Sequence, residues 1–132
     1  MKILFFVLFA IYLQQGQLFA QTEEPLSNVE KMPAFPGGVS KMYSFLYSNI
    51  KYPSEAKKWQ ISGQVVTQFV VDKEGYLRDI HIVKGLGYGL DEESLRVIEL
   101  MNVAHRWVPG SHNGVPVPVP FTLPIRFVLK SE

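Results

Sequence analysis

Cysteine is absent from the 132-residue chain. That excludes disulfides, zinc–thiolate sites, a thiol nucleophile and a lipid anchor carried on cysteine. Net charge is almost absent too, with 13 Lys+Arg against 12 Asp+Glu. Setting aside the first twenty residues removes only Lys2 and leaves 12 against 12. A neutral domain has no electrostatic footprint for nucleic acid or for an anionic membrane, so no nucleic-acid partner is expected. Long hydrophobic runs are missing as well. The longest is the eleven residues Ile3 to Leu13, about half of the ~20 that a membrane-spanning helix needs.

What is present is an ordinary globular composition, 47% hydrophobic and 19% charged, enough for one domain with one modest core. Lys2, the apolar run and the looser stretch ending at Ala20 have the layout of a cleavable signal peptide over residues 1–20. A short N-terminal membrane anchor is the alternative. Export without cysteine points to a bacterial periplasm. Residues 21–34 are polar and without period, and read as a flexible lead-in to a domain over 35–130.

Within that domain Pro36-Gly37-Gly38 signals a turn opening a helix. Val39, Met42, Leu46 and Ile50 recur at helical spacing, with Phe45 beside them. Pro53 is placed for the first position of a short helix reaching Trp59. Gly63 to Asp72 alternates as a strand, with Val65, Thr67, Phe69 and Val71 on one face. Lys73-Glu74-Gly75 turns it into a return strand, Tyr76 to Lys84, with a bulge expected near Arg78-Asp79. Asp91 reads as the N-cap of a helix whose buried stripe is Leu95, Ile98 and Met101, or 94/98/102 after a small rotation. Asn113-Gly114 is a second tight turn, and Val115 to Leu129 a long last strand. The fold expected is α+β. A three-stranded antiparallel or mixed sheet carries two main helices on one face, with the first strand central and the last at an edge.

Phe35-Pro36-Gly37-Gly38, Tyr52-Pro53-x-x-Ala56 and Gly63-x-Val65-x-x-x-Phe69-x-Val71-Asp72-x-x-Gly75 stand in order along the chain. They are followed by Leu90-Asp91, Trp107-x-Pro109-Gly110, Asn113-Gly114-x-Pro116-Val117 and Leu123-Pro124-Ile125-x-Phe127. No single piece is specific, but the ordered set resembles the TonB C-terminal domain, in the style common in Bacteroidetes envelope proteins. The resemblance implies a non-enzymatic periplasmic module without cofactor that docks on TonB-dependent outer-membrane receptors. In that family a short receptor peptide adds as a strand beside the domain's last strand, and an inner-membrane motor pulls on it through the bonded ladder. Complete transducers carry a membrane helix and a long spacer. Here about fourteen residues, 21–34, separate the leader from the domain, a reach of roughly 50 Å at ~3.5 Å each. The expectation is therefore the receptor-binding end without the motor end. The alternative is a soluble envelope accessory or regulatory domain that binds another envelope protein and has no part in energy transduction.

The prolines of the last strand, 116, 118, 120 and 124, all stand at even positions. In a single strand their missing donors fall on one side. Val117, Val119, Phe121, Leu123, Ile125 and Phe127 then pair inward, and the open edge keeps donors only at Thr122, Arg126 and Val128. Proline here blunts an edge against aggregation. It also restricts docking to Thr122 through Val128, and the two readings are compatible.

No other constellation carries chemistry. His81, His105 and His112 are not paired at helical spacing, and Asp79 with His81 gives two ligands where a metal site needs more. Gly85-x-Gly87-x-Gly89 does not have the spacing of a nucleotide loop. Ser94 has no neighbouring base by sequence. Trp107 reads as a core plug. Val66, Val70 and Val83 are expected to leave an apolar stripe on the uncovered sheet face, either a candidate surface for a homodimer or another partner or a face partly covered by the lead-in.

Overall fold

The computed structural model describes residues 29–130. The leader expected at 1–20 and the first part of the lead-in lie outside them. At Phe35-Pro36-Gly37-Gly38 the Gly38 N–H donates to the Phe35 carbonyl at 2.9 Å, and Gly37 takes φ +90°. Proline second and glycine third suit this turn, because only the third residue needs positive φ. The turn feeds α1 (Val39–Asn49), whose buried stripe is Met42 and Leu46, one turn apart. Pro53 stands just outside α2 (Ser54–Lys58), as its cap rather than its first helical residue.

β1 (Gly63–Val71) buries alternate residues as expected, and Val65, Thr67, Phe69 and Val71 are all inside. It pairs antiparallel with β2 (Leu77–Lys84). Asp72 holds the turn between them by accepting the N–H groups of Glu74 and Tyr76, both at 2.9 Å, and Arg78 Nε at 3.1 Å. Burial alone pushes the Asp72 carboxyl up. The hydrogen bonds from Tyr76, Arg78 and Glu74 and the Arg78 charge together outweigh it and hold the group below the usual carboxylate range. β2 is bulged where expected: Gln68 faces His81 but Val70 faces Arg78, and Asp79 takes φ +53°. A second irregularity leaves Val83 without a partner between the Val66–Lys84 and Thr67–Ile82 pairs.

α3 (Leu90–Ala104) is capped by Gly89 in the left-handed region, not by Asp91. Asp91 instead lies in the first turn and reaches back to the loop, accepting the N–H of Leu86 at 2.8 Å and of Gly87 at 3.3 Å. The buried side of α3 is Leu90, Glu93, Ser94, Val97, Ile98 and Met101, nearer the rotated of the two expected stripes, and Leu95 is only half-buried.

The expected last strand is two strands. β3 (Gly110–His112) and β4 (Val115–Val117) form a small hairpin around Asn113 and Gly114, at φ +51° and +77°, the pair of positive angles a two-residue hairpin turn requires. β5 (Val119–Phe127) belongs to the main sheet. Pro118 separates them, where the chain passes from one ladder to the other. The last part of the lead-in joins the small sheet. Lys31 and Ser111 exchange backbone hydrogen bonds of 3.1 and 2.9 Å, and Ala34 and Val108 exchange bonds of 3.0 and 2.8 Å.

The main sheet runs β2-β1-β5, fully antiparallel, with β1 central. Its inner face packs under α1 and α3. Trp107 plugs one end of that core, edge-on to Phe35, Phe69 and Phe121 at 5.8, 5.5 and 5.0 Å between ring centres.

Candidate docking edge

An antiparallel ladder alternates pairs that exchange two hydrogen bonds with pairs that exchange none. In the β1–β5 register, Val66 faces Pro124 and Val70 faces Pro120. Proline has no donor, so these are the non-bonded pairs. The bonded ones are therefore Val65–Ile125, Thr67–Leu123 and Phe69–Phe121, in which odd β5 residues face inward to β1. Leu123, Ile125 and Phe127 also carry the buried side chains. Even residues consequently send their backbone groups to the open edge, as the proline spacing implies. Pro116 does not contribute, because it sits opposite Ser111 in the small hairpin. Only Pro120 and Pro124 act on this edge.

The edge then offers N–H groups at Thr122 and Arg126, followed by Val128 just past the strand end, and a carbonyl without its donor at Pro124. Thr122 and Arg126 are exposed, as is Val128. Gln68 Nε2 reaches across to Thr122 Oγ1 at 3.4 Å on the outer face.

Two of these backbone groups already have a side-chain partner that the sequence reading missed. Tyr43 and Tyr47 lie one turn apart on α1, on the flank of the Met42–Leu46 stripe, and their rings stack at 5.9 Å and 15°. The Tyr43 hydroxyl donates to the Pro124 carbonyl at 3.4 Å. The Arg126 N–H donates to the Tyr47 hydroxyl oxygen, also at 3.4 Å. Burial pushes the Tyr43 hydroxyl above its ordinary range, and the neighbouring Tyr47 adds to that. Tyr43 therefore stays a neutral donor at physiological pH. Only the helical spacing of 43 and 47 could have signalled this pair, and nothing in that spacing says that the phenols reach a strand 79 and 81 residues away.

Beyond Tyr47 the edge opens into a groove between the end of α1, α2 and the tail of the chain. Ile50, Tyr52, Lys57, Leu129 and Lys130 line it. Tyr52 is fixed there by donating to the Ile61 carbonyl and by an edge-on contact with Phe127 at 5.8 Å.

The other sheet edge is built differently. At Leu77 the Asn102 side chain pairs with both backbone groups, accepting from the N–H at 2.9 Å and donating to the carbonyl at 3.1 Å. Beyond that, β2 is interrupted twice, at Asp79 and at Val83. Bulges of this kind break the row of groups a new strand would need. Of the two edges, β5 is the regular one.

The remaining candidates have structural surroundings. Ser94 Oγ donates to the Leu90 carbonyl at 2.8 Å inside the core. His105 packs against Phe35 and Phe45 at 4.9 and 5.0 Å, and His81 Nδ1 lies 2.7 Å from the Asp79 carbonyl. Among the described residues no three His, Asp or Glu gather as a metal site, and no helix is long and apolar enough to cross a membrane. Val66 and Val70 are half-buried, and Val83 is exposed.

Residues 48–129 match the family described as the Gram-negative bacterial TonB protein C-terminal. Two solved structures share the fold, both of the Helicobacter pylori TonB C-terminal domain in solution. The one spanning its residues 194–285 is 23% identical with a TM-score of 0.53, over 70% of this chain and 95% of that one. The one spanning 179–285 has the same identity and TM-score, over 84% of this chain and all of that one. No curated protein sequence matches.

Proposed function

The chain belongs to the TonB C-terminal domain family, and from that premise we propose that it is a periplasmic binding module which takes a peptide of a TonB-dependent outer-membrane receptor as an added strand along the second half of β5, from Thr122 to Val128 just past its end. Domains of this family are envelope-associated interaction modules rather than enzymes. The observation that carries the reading is the contrast between the two sheet edges. β2 is bulged twice and covered by Asn102, while β5 keeps an unbroken register with β1 from Val119 to Phe127. A peptide laid beside β5 meets donors at Thr122, Arg126 and Val128 and an acceptor at Pro124. Backbone pairing supplies the hold, and side chains at alternate peptide positions supply the choice. The groove past Tyr47 lies where the end of such a strand would run.

Titration of the labelled protein with synthetic receptor plug peptides tests this amide by amide. The expected result is saturable binding, with the Thr122, Arg126 and Val128 amides shifting and gaining protection from exchange. Binding that perturbs β2 or the outer sheet face instead would overturn the assignment of the edge. Failure of every receptor peptide, with another envelope protein's strand protecting the same amides, would replace the receptor reading with that of an accessory domain.

A further inference from the structure

We infer that Tyr43 and Tyr47 form a displaceable guard on the β5 edge, occupying its polar groups in the free protein and giving way to an incoming strand. The inference rests on the docking reading and specifies how that site is controlled.

An open edge must be protected in the unbound protein, because its unpaired groups are a template for association with any other strand. Proline protects permanently, since a missing donor cannot be restored. In β5 that protection removes the donors at Pro120 and Pro124 and leaves their carbonyls. From Pro124 onward two of the remaining groups are held by phenols, with Tyr43 on the Pro124 carbonyl and Tyr47 on the Arg126 N–H. The two hydroxyls play complementary parts, one donating and one accepting, as the backbone of an added strand would. Strand addition is then an exchange without net loss: a peptide N–H replaces Tyr43 and a peptide carbonyl replaces Tyr47.

The guard is also suited to release. Both bonds are 3.4 Å, longer than the 2.7–3.2 Å of well-formed N–H···O bonds and the 2.5–3.0 Å of O–H···O bonds. Tyr47 is 46% exposed, so its ring can turn into solvent without opening the core. α1 is anchored by Met42 and Leu46, and Tyr43 packs against the same core, so the Tyr47 ring can leave without moving the helix while Tyr43 gives up only its hydrogen bond.

The test uses Tyr47→Phe, which removes the hydroxyl and keeps the ring, alongside Arg126→Pro as a control for the docking edge. In the free protein Tyr47→Phe should speed hydrogen exchange at the Arg126 amide and leave Thr122 unchanged. Its affinity for a synthetic receptor plug peptide should rise by about twofold to fivefold, the range set by one long hydrogen bond of modest net strength. Unchanged or weaker peptide binding by Tyr47→Phe, while the wild type binds and Arg126→Pro does not, would overturn the guard alone. An unchanged exchange rate at Arg126 would overturn it too. If wild type and Arg126→Pro bind alike or not at all, the docking reading itself fails and the guard fails with it.

Discussion

The alternation along β5 makes a paired prediction from two neighbouring positions. Ile125 is fully buried and faces Val65 in a bonded pair. Ile125→Pro removes the donor to the Val65 carbonyl and sets the ring where that carbonyl sits. Leaving a buried acceptor unpaired costs about 1–3 kcal/mol. Lost side-chain packing adds about 1 kcal/mol on the scale of small aliphatic truncations. The expected destabilisation is roughly 2–4 kcal/mol, a large share of the 5–15 kcal/mol typical of a whole domain. Arg126 faces Gln64 in a non-bonded pair, and its N–H meets only the Tyr47 hydroxyl. Arg126→Pro displaces that exposed ring and loses one long hydrogen bond, at a cost of about 1 kcal/mol or less.

Urea unfolding followed by the fluorescence of buried Trp107 reads both variants. Ile125→Pro should lose most of its midpoint, and Arg126→Pro should stay close to wild type. The same Arg126→Pro protein should bind a receptor peptide at least about tenfold more weakly, because the peptide carbonyl opposite residue 126 has no donor. Equal destabilisation by the two prolines, or the reverse order, would refute the assignment of the bonded pairs and with it the docking edge.

Gly75→Ala should destabilise by at least about 2 kcal/mol, since an alanine there combines positive φ with a clash: φ is +89° and a Cβ would lie 2.1 Å from the Trp107 carbonyl. Gly87→Ala, at φ +75° with open space around it, should cost only about 1 kcal/mol, so the difference between their denaturation curves measures the clash. Asn102→Ala strips both partners from the Leu77 backbone and should lower stability by about 1–3 kcal/mol; a thermal midpoint within a degree of wild type would contradict that bridge. Acid should weaken the fold through Glu93. Burial pushes its carboxyl up, but hydrogen bonds from Arg96 and the Lys51 N–H and their charges outweigh this and hold it below the usual range. The folded state then binds that proton less readily than the unfolded one. Its contribution is present above about pH 4.3 and is lost as pH falls through the lower folded value, so Glu93→Gln should flatten the urea midpoint's dependence on pH below 5.

Period and turn chemistry carried most of the fold in the sequence. Val65, Thr67, Phe69 and Val71 alternate cleanly because one face of β1 is buried, and the Asn113-Gly114 turn has one favoured backbone solution. What was not legible depends on pairings distant in sequence. Val115 to Leu129 has uniform strand character, and nothing local says that its first three residues pair with β3 and the rest with β1. The same holds for Lys31 and Ala34, which end a stretch read as a flexible lead-in, although their backbone groups are bonded to Ser111 and Val108. Asp91 was misplaced for a local reason. An acidic residue at a helix start satisfies a capping rule, but the left-handed Gly89 already made the entry, which freed the carboxylate to hold the preceding loop.

The docking edge shows where that boundary lies. Proline parity is a property of the strand itself, so the donors at Thr122, Arg126 and Val128 could be read from spacing alone. The phenols that meet the edge come from a helix some eighty residues earlier, and their role follows only once α1 lies beside β5. The reading from spacing treated Arg126 as a vacant donor, and the structure gives it a partner. That changes the energetics of the proposed docking rather than the edge proposed for it. A vacant donor in water exchanges a water molecule for the peptide, whereas a guarded one exchanges a phenol held by the fold. Affinity therefore depends on how easily α1 releases its tyrosines as well as on the peptide, and substitutions on a helix that never pairs with the peptide should tune binding to the strand.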